Sequence, residues 1–410
     1  MQQNHWILAV GLMWPLSGQA IVAGNQIDQT EYNNEYSYMV SVGASVFAED
    51  HFCGGTIIAS QWVLTAAHCL VSSGTTQEDS ETNPDNITQY DVAKPIELSI
   101  TAGVADLEDA AISNLYRVTH VVIHPDYFPT ATASTTAYQN DIALLYVERA
   151  FSGTPITLVD ATRYTELLTL EPLWDPANPQ PNVKVVGWGD GDATEPDPAF
   201  GGSDSTLDEV DVSFNPIADC YARVESGRDA PLYIASTTDA SKLCTMSTLV
   251  VLNDQDESYG NGACEGDPGG PLTFEAADSN TYQVGIISAS PVSNTICSSP
   301  TIPAWYTNVN SYLTWIESYT TAASPPSEVI TKPNFITAAE TPDVGDGDNS
   351  EEEEAPSQPS SCSGTPVSVG GGTTELGCSS SGGGSGGGMG SISLLGLILL
   401  WRRRINRYPF

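Results

Sequence analysis

Positive charge is scarce in this 410-residue chain: 13 Lys+Arg stand against 51 Asp+Glu, for a formal net charge of −38. Phosphate binding needs clustered lysine and arginine, and so acidic a surface repels a polyanion at long range; this excludes a nucleic-acid partner. Four of the few basic residues, Arg402, Arg403, Arg404 and Arg407, crowd into the last nine positions. None of the eight cysteines falls into a C-x-x-C pair, so they suit disulfides in an oxidising compartment better than a metal or redox site. No loop carries the spaced oxygen ligands of a dedicated calcium site, and neither a metal nor another cofactor is expected. No repeat of about 20–50 residues recurs, and no apolar run reaches the ~20 residues of a comfortable membrane span. At roughly 150 residues per domain, the length allows two or three folded units.

Both ends read as targeting segments. Residues 1–20 hold an apolar run from Trp6 to Trp14, a breaking Pro15 and small residues at Gly18 and Ala20, the pattern of a signal peptide cut after Ala20. Its start has no Lys or Arg, which leaves a buried N-terminal strand as the alternative. Near the other end, residues 389–410 place the short apolar stretch Ile392–Trp401 between a glycine-rich run and the arginine cluster, which would stay cytoplasmic under the positive-inside rule. This arrangement resembles the GlyGly-CTERM sorting signal of Gram-negative exoproteins, which implies transient membrane association, removal by an intramembrane protease, and a product secreted or held at the cell surface. A permanent single-span anchor is the alternative.

Between the ends, residues 21–320 show short β-rich runs such as Thr56–Leu64, Val118–Ile123, Ile142–Val147 and Val183–Trp188, separated by Gly, Pro, Asn and Asp. Many short strands at this spacing predict an all-β barrel or sandwich. One segment reads as helical: Val309–Tyr319 sets Tyr312, Leu313, Trp315 and Ile316 near one face, with Asn308 as a cap. Residues 321–388 turn to Pro, Ser, Thr, acid and Gly, with Glu351–Glu354 inside, and read as a linker. Cys362 and Cys378 within it are expected to close a local disulfide.

Three separated blocks carry chemistry: CGGTIIASQWVLTAAHC (Cys53–Cys69), NDIALL (Asn140–Leu145) and CEGDPGGPL (Cys264–Leu272). In order and content they resemble the His, Asp and nucleophile blocks of trypsin/chymotrypsin-like serine proteases, peptidase family S1. IVAGN (Ile21–Asn25), VGWG (Val186–Gly189) and WYTNVNSYLTWI (Trp305–Ile316) extend the resemblance across residues 21–320. It implies two packed six-stranded antiparallel β-barrels, a C-terminal helix, and an active site between the barrels. It implies His68 as general base, oriented by Asp141. It also implies the disulfides Cys53–Cys69, Cys220–Cys244 and Cys264–Cys297. His51, His120 and His124 match no catalytic slot and are expected on loops or at the surface.

The third block departs from the pattern. Where the family carries GDSGGP, this chain reads Gly266-Asp267-Pro268-Gly269-Gly270-Pro271. Proline has no hydroxyl or thiol for His68 to activate, and no N–H for an oxyanion hole, leaving Gly266 as a single donor. No Ser or Thr lies within three residues of Pro268, and Thr273 is too far along the chain to substitute. The expectation is an inactive homologue that binds a peptide or protein in its cleft or regulates an active relative. The alternatives are an active serine endopeptidase preferring small or apolar residues, and a purely structural surface protein. Asp267 matches the family's buried partner of a new N-terminal ammonium, which Ile21 would supply once cleavage after Ala20 exposes it. The primary pocket is expected from Gly262, Ser288, Ser290 and Ala304; Gly262 sits where trypsin-like members carry Asp, so no preference for Arg or Lys follows. The sequence favours no oligomeric state.

Overall fold

The computed structural model describes residues 21–44, 51–75, 88–191, 205–252, 258–289 and 297–340. The expected signal peptide, the C-terminal tail, Ser290, Cys362 and Cys378 lie outside these residues.

Twelve strands form two closed barrels. The first is built from β1 (Met39–Gly43), β2 (His51–Ala59), β3 (Trp62–Thr65), β4 (Ser99–Ala102), β5 (Leu115–Ile123) and β6 (Ala143–Val147). They run antiparallel in the order β5-β4-β1-β2-β3-β6, and β6 closes back on β5. The second contains β7 (Val183–Gly187), β8 (Asp208–Asn215), β9 (Lys242–Met246), β10 (Pro271–Glu275), β11 (Thr281–Ala289) and β12 (Ala304–Asn308). Its order is β8-β7-β10-β11-β12-β9, closed by β9 on β8. Closure leaves no barrel edge for intermolecular pairing.

The apolar runs that do not alternate are explained by burial of both strand faces. Val63, Val121, Ile123 and Leu145 point into the first barrel. Their neighbours Leu64, Val122 and Leu144 point outward and join Val183, Val185, Leu272 and Ile286 in the core of the second. Strands β3, β5 and β6 therefore contribute side chains to both cores and join the barrels. The run expected at Thr56–Leu64 is a hairpin: Ser60 and Gln61 turn, and Ile57 faces Val63.

Helix is more frequent than the sequence predicts. Besides the C-terminal one there are α1 (Ala161–Leu168), capped by the Asp160 carboxylate on Arg163 N, and α2 (Ile217–Val224), pinned through Cys220. Each is about two turns long, too short for a helical period to declare itself. The expected helix at Val309–Tyr319 begins as a 3₁₀ turn over Val309–Tyr312, with the Asn308 side chain accepting from Asn310 N, and becomes α3 (Leu313–Thr320). Ile316 is buried in the core, and the Tyr319 ring meets Trp62 at 6.2 Å.

The expected linker also needs correction at its start. Ile330–Thr331 forms β13, parallel to β5, and Asn334–Glu340 forms α4. Ile336 of α4 lies in the core of the first barrel at 5% exposure, and Phe335 packs on the rings of Tyr90, Tyr127 and Phe128. A composition rich in Pro, Ser and Thr hides these few apolar anchors.

Candidate active site

Two short turns bring the first two blocks together. Beyond β3, the buried pair Ala66-Ala67 leads into His68, and the Cys53–Cys69 disulfide ties that turn to β2. His68 donates its backbone N–H to Asp141 Oδ1 at 2.8 Å and its Nδ1–H to Asp141 Oδ2 at 2.8 Å. This double contact fixes the ring and its tautomer, leaving Nε2 as the proton-accepting nitrogen. Asp141 is fully buried and also accepts from Ser288 Oγ at 2.6 Å, while Thr307 Oγ1 donates to its backbone carbonyl at 2.7 Å. Burial pulls the Asp141 carboxyl up, but His68, the Ser288 hydroxyl and Lys242 together hold it below the usual aspartate value. A carboxylate so held orients the imidazole and stabilises positive charge on it, which suits His68 to general-base work. The Tyr138 ring stands edge-on to His68 at 5.6 Å.

The third block folds against the first. Gly54 N, on β2, donates to Pro268 O at 2.8 Å, and the Cys69 sulfur lies 3.7 Å from that oxygen. Gly269 has φ +86° and a Cβ there would stand 2.3 Å from Gly54 O, so the turn admits only glycine. Gly266 also has positive φ, +90°. Asp267 is buried, with Oδ1 accepting from Gly189 N and Oδ2 from Cys264 N, both at 2.8 Å. Burial outweighs these bonds and, with the fields of Asp208 and Asp190, pushes its carboxyl up to about 8. Ile21 is fully buried, and Val22 exchanges two backbone hydrogen bonds with Gly262 at 3.2 Å, which seats the start of the described chain five residues before Asp267.

His51 corrects an expectation. It is 2% exposed on β2, with Nε2–H donating to Gly266 O at 2.9 Å and Nδ1 accepting from Ser41 Oγ at 2.8 Å. Burial pushes its pKa down to about 4, so the ring is neutral and braces the Gly266 peptide. Simple alternation from Cys53 could not have placed it, because the pairing of β1 with β2 shifts register between Cys53 and His51. His120 and His124 are half-buried and pack on Tyr146, and on Tyr312 and Trp315, respectively.

The pocket residues divide. Gly262 and Ala304, with Thr245, Ser298 and Tyr306, line a cavity of about 10 Å³, room for roughly one water. Ser288 spends its hydroxyl on Asp141 instead of lining that cavity. Cys264–Cys297 and Cys220–Cys244 are formed. Cys53, His68 and Cys69 gather potential metal-ligand atoms within 4.8 Å, but the two sulfurs are bonded to each other and offer no thiolate.

The two-barrel fold with an imidazole and a buried carboxylate at the cleft defines a chymotrypsin-like protein, and comparison with known proteins gives the family. The trypsin family model matches residues 25–316, so the chain belongs to the trypsin family. It is similar to the lectizyme of Glossina austeni, 28% identical over 303 residues covering 72% of this chain and 85% of that protein. It is similar to the tryptase of Mus musculus, 28% identical over 305 residues, covering 74% and 90% respectively. It is also similar to the serine protease Hayan of Drosophila melanogaster, 30% identical over 302 residues, covering 72% of this chain and 38% of that longer protein.

Proposed function

We propose that this trypsin-family protein is exported and engages a peptide or protein segment in its interbarrel cleft without cutting it. Pro268 carries this reading. It occupies the place of the family's nucleophile, and its ring offers His68 no oxygen or sulfur to deprotonate. The same residue removes one of two backbone N–H donors to a tetrahedral oxyanion, a loss that alone costs ~10²–10³ in turnover. His68 and Asp141 keep their mutual geometry, so the base is ready and has no nucleophile to serve. The cavity of about 10 Å³ beside Gly262 and Ala304 restricts a ligand residue there to a very small one.

Export is supported by the signal-like residues 1–20 and by three disulfides, which belong to an oxidising compartment. In this reading the glycine-rich, arginine-ended tail sorts the protein to the cell surface, with only transient membrane contact, and cleavage after Ala20 frees the Ile21 amine to pair with Asp267. N-terminal sequencing of the exported protein checks that cleavage; a start other than Ile21 would discard it.

The inactive reading is tested with a fluorophosphonate probe, which forms a covalent adduct with an activated serine. The purified protein is expected to stay unlabelled under conditions that label an ordinary trypsin completely. An adduct mapped by mass spectrometry to any residue of the cleft would overturn the reading in favour of an active endopeptidase.

A further inference from the structure

Lys242 is a buried cation that the catalytic scheme does not use. It lies on β9 with 2% exposure; its neighbour Leu243 joins the core of the second barrel, so Lys242 projects from the opposite face of the strand, toward segment 138–141. Its Nζ donates to the backbone carbonyl of Tyr138 at 2.6 Å. Burying an ammonium is costly, and an apolar side chain of similar length would fill the same volume without that cost. A requirement of the fold alone therefore does not explain a lysine here.

The surroundings suggest what it does. Tyr138 and Asn140 both have φ +52°, a left-handed conformation disfavoured for a residue with a bulky side chain such as Tyr138. Asn140 is held through its side chain, accepting from Tyr312 Oη at 2.7 Å and donating to Asp126 O at 2.7 Å. The Tyr138 side chain does not anchor its turn in that way; its ring leans edge-on against His68 at 5.6 Å. The Tyr138 carbonyl is gripped by Lys242. Across the ladder from Lys242 stands Thr307, whose hydroxyl holds the Asp141 carbonyl. Two facing residues of β9 and β12 thus grip the two ends of the segment 138–141. Burial lowers the pKa of the Lys242 amine, and the negative fields of Asp141 and Asp239 offset part of that shift.

We propose that Lys242 is a positioning residue: its buried ammonium fixes the left-handed turn at Tyr138 and so keeps the Tyr138 ring against His68, forming one wall of the cleft. This role concerns the geometry of the imidazole and is independent of whether Pro268 silences the site.

The test compares the full exported chain with Lys242→Met, which keeps the volume and loses the donor, and Lys242→Gln, which keeps a donor and loses the charge. The readout is the nuclear Overhauser contact between the Tyr138 and His68 rings, together with the His68 ring-proton shifts. The parent and the Gln variant are expected to show the contact; the Met variant is expected to lose it and to shift the His68 signals while its amide spectrum remains that of a folded protein. A Met variant that retains the contact with unmoved His68 signals overturns the proposal. If Lys242→Met does not fold, Tyr138→Gly is added to it, because glycine adopts positive φ without strain. Recovery of folding supports the proposal, and failure to recover refutes it.

Discussion

Residues 330–340 offer a sharp test, because by composition they are linker and by contact they are core. Ile336 is 5% exposed in the first barrel, and replacing a buried Ile by Ala costs ~2–5 kcal/mol through lost transfer energy and the cavity left behind. Phe335 adds contacts to three rings, with centroids 5.0, 5.2 and 6.4 Å away. The backbone is engaged as well: Val121 N donates to Val329 O at 2.9 Å, and Asn334 N to Pro125 O at 2.8 Å. Against a total stability of ~5–15 kcal/mol, the Ile336→Ala loss is large. At ~2–4 °C per kcal/mol for a domain of 150–250 residues, the melting temperature should fall by roughly 4–20 °C. Urea unfolding followed by tryptophan fluorescence measures the free-energy change, with exposed Glu328→Ala as the control. If Ile336→Ala lies within ~0.5 kcal/mol of the parent, the range of an ordinary surface change, this segment is not part of the cooperative unit and the packing argument fails. The consequence reaches the site, since Asn334 Nδ2 donates to the Asp126 carboxylate at 3.1 Å and Asp126 O accepts from Asn140, the neighbour of Asp141.

Buried charge predicts a particular dependence of stability on pH while residue 20 remains joined to Ile21. Asp267 loses its proton near 3.8 in the unfolded chain and near about 8 in the folded one, so unfolding releases a proton across that window and stability falls as pH rises, by up to ~1.4 kcal/mol per unit. His51 acts in the opposite sense: it is lowered from 6.5 to about 4, so unfolding takes up a proton there and stability falls as pH drops through that range. The two slopes oppose each other between about 4 and 6.5; above that, of these two, only the Asp267 slope continues, and Asp267→Asn should remove it in urea titrations at stepped pH. An Asp267→Asn protein that keeps the parent's decline above pH 6.5 would exclude Asp267 as its source. Replacing Cys264 and Cys297 together by Ala opens a 33-residue separation and is expected to cost ~2–4 kcal/mol by the same measurement.

Much of the site was legible because its chemistry is concentrated in contiguous blocks. TAAHC, NDIALL and CEGDPGG resemble the family's blocks, and that resemblance implies the pairing of His68 with Asp141 before any distance is known. What stayed hidden depends on contacts between blocks. His51 braces Gly266 across 215 positions of sequence. Lys242 reaches Tyr138 across 104. Ser288 is expected in the primary pocket, yet its hydroxyl turns to Asp141, reached across 147 positions of sequence. Residues 330–340 read as linker in sequence because a two-residue strand and a seven-residue helix give no period; two apolar side chains and a few hydrogen bonds decide the matter.

The turn at Pro268 is where the proposed loss of hydrolysis can be weighed against the needs of the fold. Around that residue three backbone donors are spent within the protein: Asp267 N to Cys264 O at 3.3 Å, Gly269 N to Ile287 O at 2.9 Å and Gly270 N to Asp267 O at 2.9 Å. The carbonyl of Pro268 is used too, accepting from Gly54 N. Its nitrogen is a position of the turn that the fold does not use as a donor, and in a catalytic relative that N–H faces the oxyanion. Proline therefore removes a donor the fold can spare, and its fixed φ reduces the freedom of the unfolded chain. Pro268→Ser should then change stability by only ~0.4–1 kcal/mol, in the destabilising direction. Its effect on hydrolysis should be far larger, because removing the nucleophile of a serine protease costs ~10⁶ in turnover and restoring it returns the second oxyanion donor as well. Peptide-library hydrolysis and urea unfolding on the same preparations measure both quantities. A serine revertant as stable as expected but still inert would place the defect beyond this turn, in the small cavity beside Ala304 or in the seating of Ile21. A revertant that fails to fold would show that the fold, and not only the chemistry, has come to depend on the proline.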